Sequence, residues 1–497
     1  MGPSPAPREL IVVAKPEVGL RSTPQGVFSA SDLNVNSLEG LLSVEGAWLE
    51  PLFGISEDLL EFRVSSLMAE EGVTAPTKWS RFYKVAAPDS KLETLAQQLR
   101  EDPAVHAAFI KPGVELPLFL SDRTQPPAPA PSEVTPNLTD SQRYLGTPRR
   151  GINAIAAWEQ TGGGGLGIQI IDIEGAWRFT HEDLRENQGG VVGGTETPDL
   201  LWRNHGTAVL GILSGDRNGG NNFGIIGICP DANVRAVSVF GQPSSHLPAD
   251  SGTAAAIRQA ADLLKAGDIM ILELQAPGPT RNFEIREDQL GYIPVEWWPD
   301  NLAAIQYAVK KEIIVVEAAA NGACDLDDPI FDHNPDPPHG PFPPDWRNPF
   351  SRSDIDSGAI IVGAGAPPRG FNHSDFGPAR SRLEFSNFGS MVDAQGWGHE
   401  VTTCGFGNIQ GIDEDRFYTK GFGGTSGATP MVAGALGSVQ GILLAAGKPL
   451  LTPALARKIL RTSGSPQQDA DLTQNRPASQ RIGNLPDILE MLTIQVS

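Results

Sequence analysis

Cysteine is scarce in this chain: three in 497 residues, Cys229, Cys324 and Cys404, an odd and sparse set that offers no disulfide framework. Each is expected as a small buried residue. Positive charge is also short, with 38 Lys and Arg against 59 Asp and Glu and a formal net charge of −21 spread along the chain. That balance argues against nucleic acid and anionic membranes as partners. No apolar run is read as long enough to span a bilayer, and Met1 to Glu9 lacks the features of a signal peptide. The compartment stays open between the cytosol and a secreted protein whose leader has been removed. No internal repeat emerges. What is present is 40% hydrophobic content, enough for a large core and for two or three domains.

The segment Gly424-Thr425-Ser426-Gly427-Ala428-Thr429-Pro430-Met431-Val432 places a serine at the mouth of a small-residue apolar helix, with Pro430 expected in its first turn. Glycines on both sides leave room for another backbone, and the helix start is the positive end of a dipole, suited to a developing oxyanion. Taken alone, Ser426 is more often an N-cap. Two further segments change the weighing. Ile168 to Asp172 is a strand-length apolar run that ends in a carboxylate. His205, in Asn204-His205-Gly206-Thr207-Ala208, is expected to begin a second small-residue helix. Acid, histidine and serine in these settings are the three parts of a charge-oriented nucleophile.

In chain order Asp, His, Ser, these three blocks resemble the signature segments of the subtilisin-like (subtilase) serine proteases, an order unlike those of chymotrypsin and the α/β-hydrolases. His181-Glu182-Asp183-Leu184, Gly227-Ile228-Cys229-Pro230-Asp231-Ala232, Ser386-Asn387-Phe388-Gly389 and Leu451-Thr452-Pro453 extend the likeness over roughly residues 150 to 490. Ile313 to Gly322 resembles the strand and turn that carry the family's oxyanion asparagine, which falls on Asn321. The resemblance implies a serine endopeptidase acting through an acyl-enzyme, with Ser426 as nucleophile, His205 as base, Asp172 as its orienting acid and Asn321 in the oxyanion hole. The other reading is a binding protein of the same fold whose cleft stays covered.

The catalytic part alternates Gly-bounded apolar strands with helical stretches: Val234 to Phe240, Ala254 to Lys265, Asp268 to Leu274, Leu302 to Lys311, Ile313 to Ala318 and Ala359 to Val362. That alternation predicts an α/β fold, a mostly parallel sheet with helices on both faces. Upstream, Leu10 to Ala14, Phe82 to Ala86 and Val105 to Ile110 read as strands and Lys91 to Arg100 as a helix. The expected boundaries are 1–116 for a small α+β domain, 117–149 for a linker rich in proline between Thr124 and Ser132, and 150–497 for the catalytic domain. The small domain resembles the subtilase propeptide, which implies an intramolecular inhibitor and chaperone, a self-inhibited precursor, and residues Leu116 to Leu118 entering the cleft. Partners are then protein or peptide substrates.

Departures from the family pattern bear on substrate. The expected substrate-binding positions are Glu273, Leu274 and Gln275 on one strand end and Ala318, Ala319 and Ala320 on another. Glu273 stands where a small serine is usual. Inside the pocket it would favour Arg or Lys before the cut, and pointing away it is an ordinary strand-end charge. Glu174 and Glu317 are unusual and unassigned. No cofactor is expected. Asp325, Asp327, Asp328, Asp332 and Asp336 are ligands of the kind Ca²⁺ takes, but their spacing matches no metal loop and a solvated loop is the expectation.

Overall fold

The computed structural model describes residues 4–53, 79–118, 134–218, 223–241, 251–369, 375–410 and 413–495. The Pro-rich stretch Thr124 to Ser132 lies outside them.

The central element is a seven-stranded sheet in the order Val392–Trp397, Ile360–Gly365, Ile314–Ala318, Ile269–Leu272, Gln169–Glu174, Asn233–Ser238, Gln188–Gly193. Every neighbouring pair is parallel. The inner strands Ile360–Gly365, Ile314–Ala318 and Ile269–Leu272 are buried along their whole length, as sheets covered on both faces require, and this is why they read as continuous apolar runs. Helices Thr253–Leu263 and Pro299–Lys310 pack together on the sheet, and Leu200–Ser214 and Thr425–Ala445 form a second pair. From Gln169–Glu174 the chain first builds outward through Gln188–Gly193 and Asn233–Ser238, then returns to Ile269–Leu272 and builds in the opposite direction. The carboxyl ends at that reversal form the crevice where such sheets bind ligands.

Helix Thr425–Ala445 corrects two expectations. At 21 residues it is long and apolar enough, by length and composition alone, to cross a membrane, yet 83% of its apolar window is buried inside the fold. It is the core helix under the sheet. Pro430 lies inside it, not in its first turn. Proline has no N–H to return to the Ser426 carbonyl. One residue earlier, the Thr429 hydroxyl donates to the Thr425 carbonyl at 2.9 Å.

The N-terminal region forms a four-stranded sheet in the order Trp48–Pro51, Phe82–Ala86, Glu9–Ala14, Val105–Lys111. Its three inner pairings are antiparallel. Strand alternation explains how Leu10 to Ala14 is apolar throughout. Leu10, Val12 and Ala14 face a core with Leu95 and Leu99 of helix Leu92–Glu101, while Ile11 and Val13 join the core of the larger unit. The hairpin Leu20–Thr23 with Gly26–Ser29 and the helix Asn36–Glu45 occupy a stretch where no element had been expected.

Between the two units lies a buried ionic cluster. Lys111 Nζ sits 3.0 Å from Glu9 Oε2 and against Asp300 of helix Pro299–Lys310, and it donates to Asn301 Oδ1 at 3.1 Å. Breaking a buried pair strands charge in a dry site, at a cost of about 3–5 kcal/mol. Lys111→Met is therefore expected to lower unfolding stability by that amount, measured by urea denaturation in a Ser426→Ala background. A loss under about 1 kcal/mol, the worth of an exposed pair, would refute the buried assignment.

Candidate active site

Asp172 and Glu174 lie two residues apart on one strand, so both carboxyls leave the same face of the sheet. The residue that reaches His205 is Glu174: its Oε2 lies 2.8 Å from His205 Nδ1. Asp172, expected in that place, instead accepts the Trp177 indole N–H at 2.7 Å through Oδ2. The side chain that is one methylene longer and two residues nearer the sheet edge makes the contact. His205 sits in the second turn of helix Leu200–Ser214, which is capped by Asp199 accepting from the Leu201 amide at 2.8 Å, so it does not begin the helix.

These groups are fully buried. Burial, then the neighbouring Glu174 charge, pushes the Asp172 carboxyl well above its ordinary range. Burial also raises Glu174, but the hydrogen bond from Asp172 opposes the rise. The proton therefore rests on Asp172 and the charge on Glu174. Burial holds His205 down at about 3, so its imidazole is neutral at ordinary pH. Its ring meets Phe422 edge-on, with centroids 5.3 Å apart. Its Nε2 has no protein partner among the described residues.

Ser426 Oγ is buried and donates to the Pro117 carbonyl oxygen at 3.3 Å. Asn321 is fixed through its own carbonyl oxygen, which accepts from the Thr425 amide at 2.9 Å and the Thr425 hydroxyl at 3.1 Å. One of its two side-chain N–H groups donates to Gln289 Oε1 at 3.1 Å. The left-handed residue of that turn is Ala320, at φ 74°, not Asn321.

Glu273 is fully buried beside Asp172, Glu174 and Ser426, and burial followed by the two like charges raises its carboxyl well above the usual range. A protonated group in that position offers no ion pair to Arg or Lys. Leu274 is buried in the core. Gln275 does most of the contacting. Its backbone pairs antiparallel with Glu115, at 2.9 and 3.0 Å, its Nε2 donates to the Leu116 carbonyl at 3.0 Å, and its Oε1 receives the Asn321 amide at 2.9 Å. Ala318 ends its strand against Val362, and the Ala319 amide donates to the Val362 carbonyl at 2.9 Å. The Ala319 and Ala320 carbonyls accept from Asn387.

Gln289 had no signal in the sequence, since it lies in an irregular loop. It is buried at φ 58°, and its Nε2 makes the second hydrogen bond to the Leu116 carbonyl, at 2.9 Å. Of the other unassigned acids, Glu317 is buried beside Glu296, whose amide it accepts at 3.1 Å. Among the described residues no group of three or more His, Cys, Asp or Glu side chains converges as a metal set. Asp327 accepts from Ser390, and Asp328 caps the Ile330 amide.

So many raised carboxyls give folding a definite pH dependence. Above about 6.5, where unfolded histidine is already neutral, the folded chain still holds protons on Asp172, Glu273 and Glu317, and part of a proton on Asp183 and Glu296, both at about 7. The unfolded chain has released them. Stability therefore falls as pH rises, by up to ~1.4 kcal/mol per pH unit for each group still protonated. Below about 6.5 the buried His181, at about 4, and His205 oppose this trend. A urea midpoint for the Ser426→Ala chain that is lower at pH ~9 than at pH ~7 is expected; an unchanged midpoint would contradict the protonated cluster.

A serine at a helix start with an asparagine hydrogen-bonded to the residue before it, and a histidine hydrogen-bonded to a buried acid, are the side chains that this fold presents. The model of the subtilase family matches residues 171–479, and the chain belongs to that family. It is similar to a subtilisin of Bacillus sp. (strain TA39), 30% identical over 181 residues that cover 34% of this chain and 38% of the subtilisin. It thus spans well under half of that relative. An intracellular serine protease of Paenibacillus polymyxa is 24% identical over 336 residues, 64% of this chain and 82% of the relative. Among solved structures, a cold-adapted subtilisin-like serine proteinase aligns at 18% identity with a TM-score of 0.39, covering 65% of this chain and 88% of its own. A protease from Pseudoalteromonas arctica aligns at 18% with a TM-score of 0.45, covering 73% and 99%.

Proposed function

We propose that the protein is a subtilisin-like serine endopeptidase, made as a precursor whose own segment Glu115 to Leu118 fills the active-site cleft. The observation that carries this reading is the Pro117 carbonyl on the Ser426 hydroxyl, with the His205–Glu174 pair beside it. Ser426 Oγ attacks the scissile carbonyl carbon as its proton passes to His205 Nε2. Ionised Glu174 holds the Nδ1 proton in place and stabilises the imidazolium. The Ser426 amide, one of the orphan donors of a helix start, and the Asn321 side-chain N–H receive the oxyanion. His205 then gives its proton to the leaving amine, and water repeats the sequence on the acyl-enzyme.

The resting geometry accounts for inhibition. One of the two Asn321 side-chain N–H donors is held by Gln289, and the Leu118 amide turns back to the Leu116 carbonyl at 2.8 Å. Glu273, against Ser426, and protonated Asp172 support the charge on Glu174 by carrying protons themselves. The test is the mass of the full chain after a fluorophosphonate probe: one adduct, and fragments broken at Pro117–Leu118, are expected. A full-length chain without adduct would favour a scaffold with a covered cleft.

A further inference from the structure

The segment in the cleft carries a buried acid with a partner of its own. Glu115 is only 4% exposed, and its Oε1 accepts a hydrogen bond from the Tyr292 hydroxyl at 2.8 Å. The direction of that bond is settled by the other side of the phenol. The Arg286 amide donates to the Tyr292 oxygen at 3.0 Å, which leaves the phenolic proton for the carboxylate. The site therefore presents a donor and asks for an acceptor. Main-chain contacts set the register: Glu115 pairs with Gln275 in both directions, and the Leu116 carbonyl takes the amides of Gln275 and Gln289. Pro117 follows, with no N–H for the cleft to satisfy.

Resting on the peptidase reading above, the geometry points to a recognition subsite in which the Tyr292 hydroxyl, oriented by the Arg286 amide, takes an acidic side chain two residues before the residue presented to Ser426. The substrate class is an extended peptide of the pattern Glu, apolar residue, Pro, cleaved after the proline. Gln275 and Gln289 hold the carbonyl of the middle residue.

Two measurements on the full chain test this. First, the fluorophosphonate labelling rate of Ser426 reports how firmly the segment covers the cleft. Glu115→Ala and Tyr292→Phe are expected to label about ten- to a hundredfold faster, the range for one hydrogen bond to a charged group. Glu115→Gln, which keeps an acceptor, labels within a few-fold of wild type, and the Glu115→Ala/Tyr292→Phe double variant labels no faster than the faster single one. Second, a Glu-Leu-Pro-Leu reporter is cleaved with a kcat/KM about tenfold or more above Lys-Leu-Pro-Leu. That preference disappears in Tyr292→Phe, which keeps the ring and its packing. Equal labelling of all variants, or no preference for Glu, overturns the subsite while leaving the peptidase reading intact. No labelling in any variant overturns the peptidase reading, and the subsite with it.

Discussion

Glu174→Gln lowers kcat/KM by about 10⁴-fold, while Asp172→Asn, two residues away on the same face, costs less than about 10²-fold. The larger figure is the loss that follows removal of the orienting acid in subtilisin and related enzymes, carried over here to a relative. A glutamine at 174 accepts or donates with the wrong partner and no longer neutralises the imidazolium. Asp172 has a different environment: Trp177 donates to one oxygen, and its proton serves Glu174. An asparagine keeps an acceptor for the indole and a donor for Glu174. Steady-state kinetics on a reporter peptide separates the two. A profound loss in Asp172→Asn with a mild one in Glu174→Gln would reverse the assignment and restore the acid expected from the motif.

Ser426→Ala is expected to cost about 10⁶-fold in turnover, and Asn321→Ala about 10² to 10³, again with magnitudes carried over from subtilisin. The ranking follows from the roles. Without the Ser426 oxygen no acyl-enzyme forms, so only binding and the oxyanion donors remain. Without the Asn321 amide the nucleophile and its base survive, and the Ser426 backbone amide still faces the developing charge. Both variants should fold, since the hydrogen bond from Ser426 Oγ to the Pro117 carbonyl is long, at 3.3 Å. Asn321→Ala removes the acceptor for the Thr425 amide, so its structure should be checked by circular dichroism before its rate is read. An active Ser426→Ala would refute the nucleophile.

The parallel sheet was legible because its strands alternate with helices and are buried on both faces, as in Ile269–Leu272 and Ile314–Ala318. Ser426, His205 and Asn321 stand out in the sequence because each lies in a short motif whose neighbours suit the chemistry proposed for it. Which carboxylate meets His205 does not stand out, because a motif specifies a position along a strand, whereas that contact depends on side-chain length and on distance from the sheet edge. Asp172 and Glu174 share a face, so the pattern Asp-Ile-Glu allowed either. Gln289, in a loop, and Tyr292, in the two-residue strand Tyr292–Ile293, meet Leu116 and Glu115 through tertiary geometry that no periodicity encodes. The hairpin and helix between Leu20 and Glu45 were hidden for another reason: the hairpin strands are only four residues long, and the helix buries just Leu38 and Leu42.

The most direct test of the central claim is the intact mass of purified wild-type protein after a fluorophosphonate probe, beside Ser426→Ala and Glu174→Gln. A single adduct on wild type, absent from Ser426→Ala and formed far more slowly on Glu174→Gln, is the predicted result. An adduct that persists in Ser426→Ala, or one that forms on Glu174→Gln at the wild-type rate, would contradict a Ser426 nucleophile activated through His205 and Glu174.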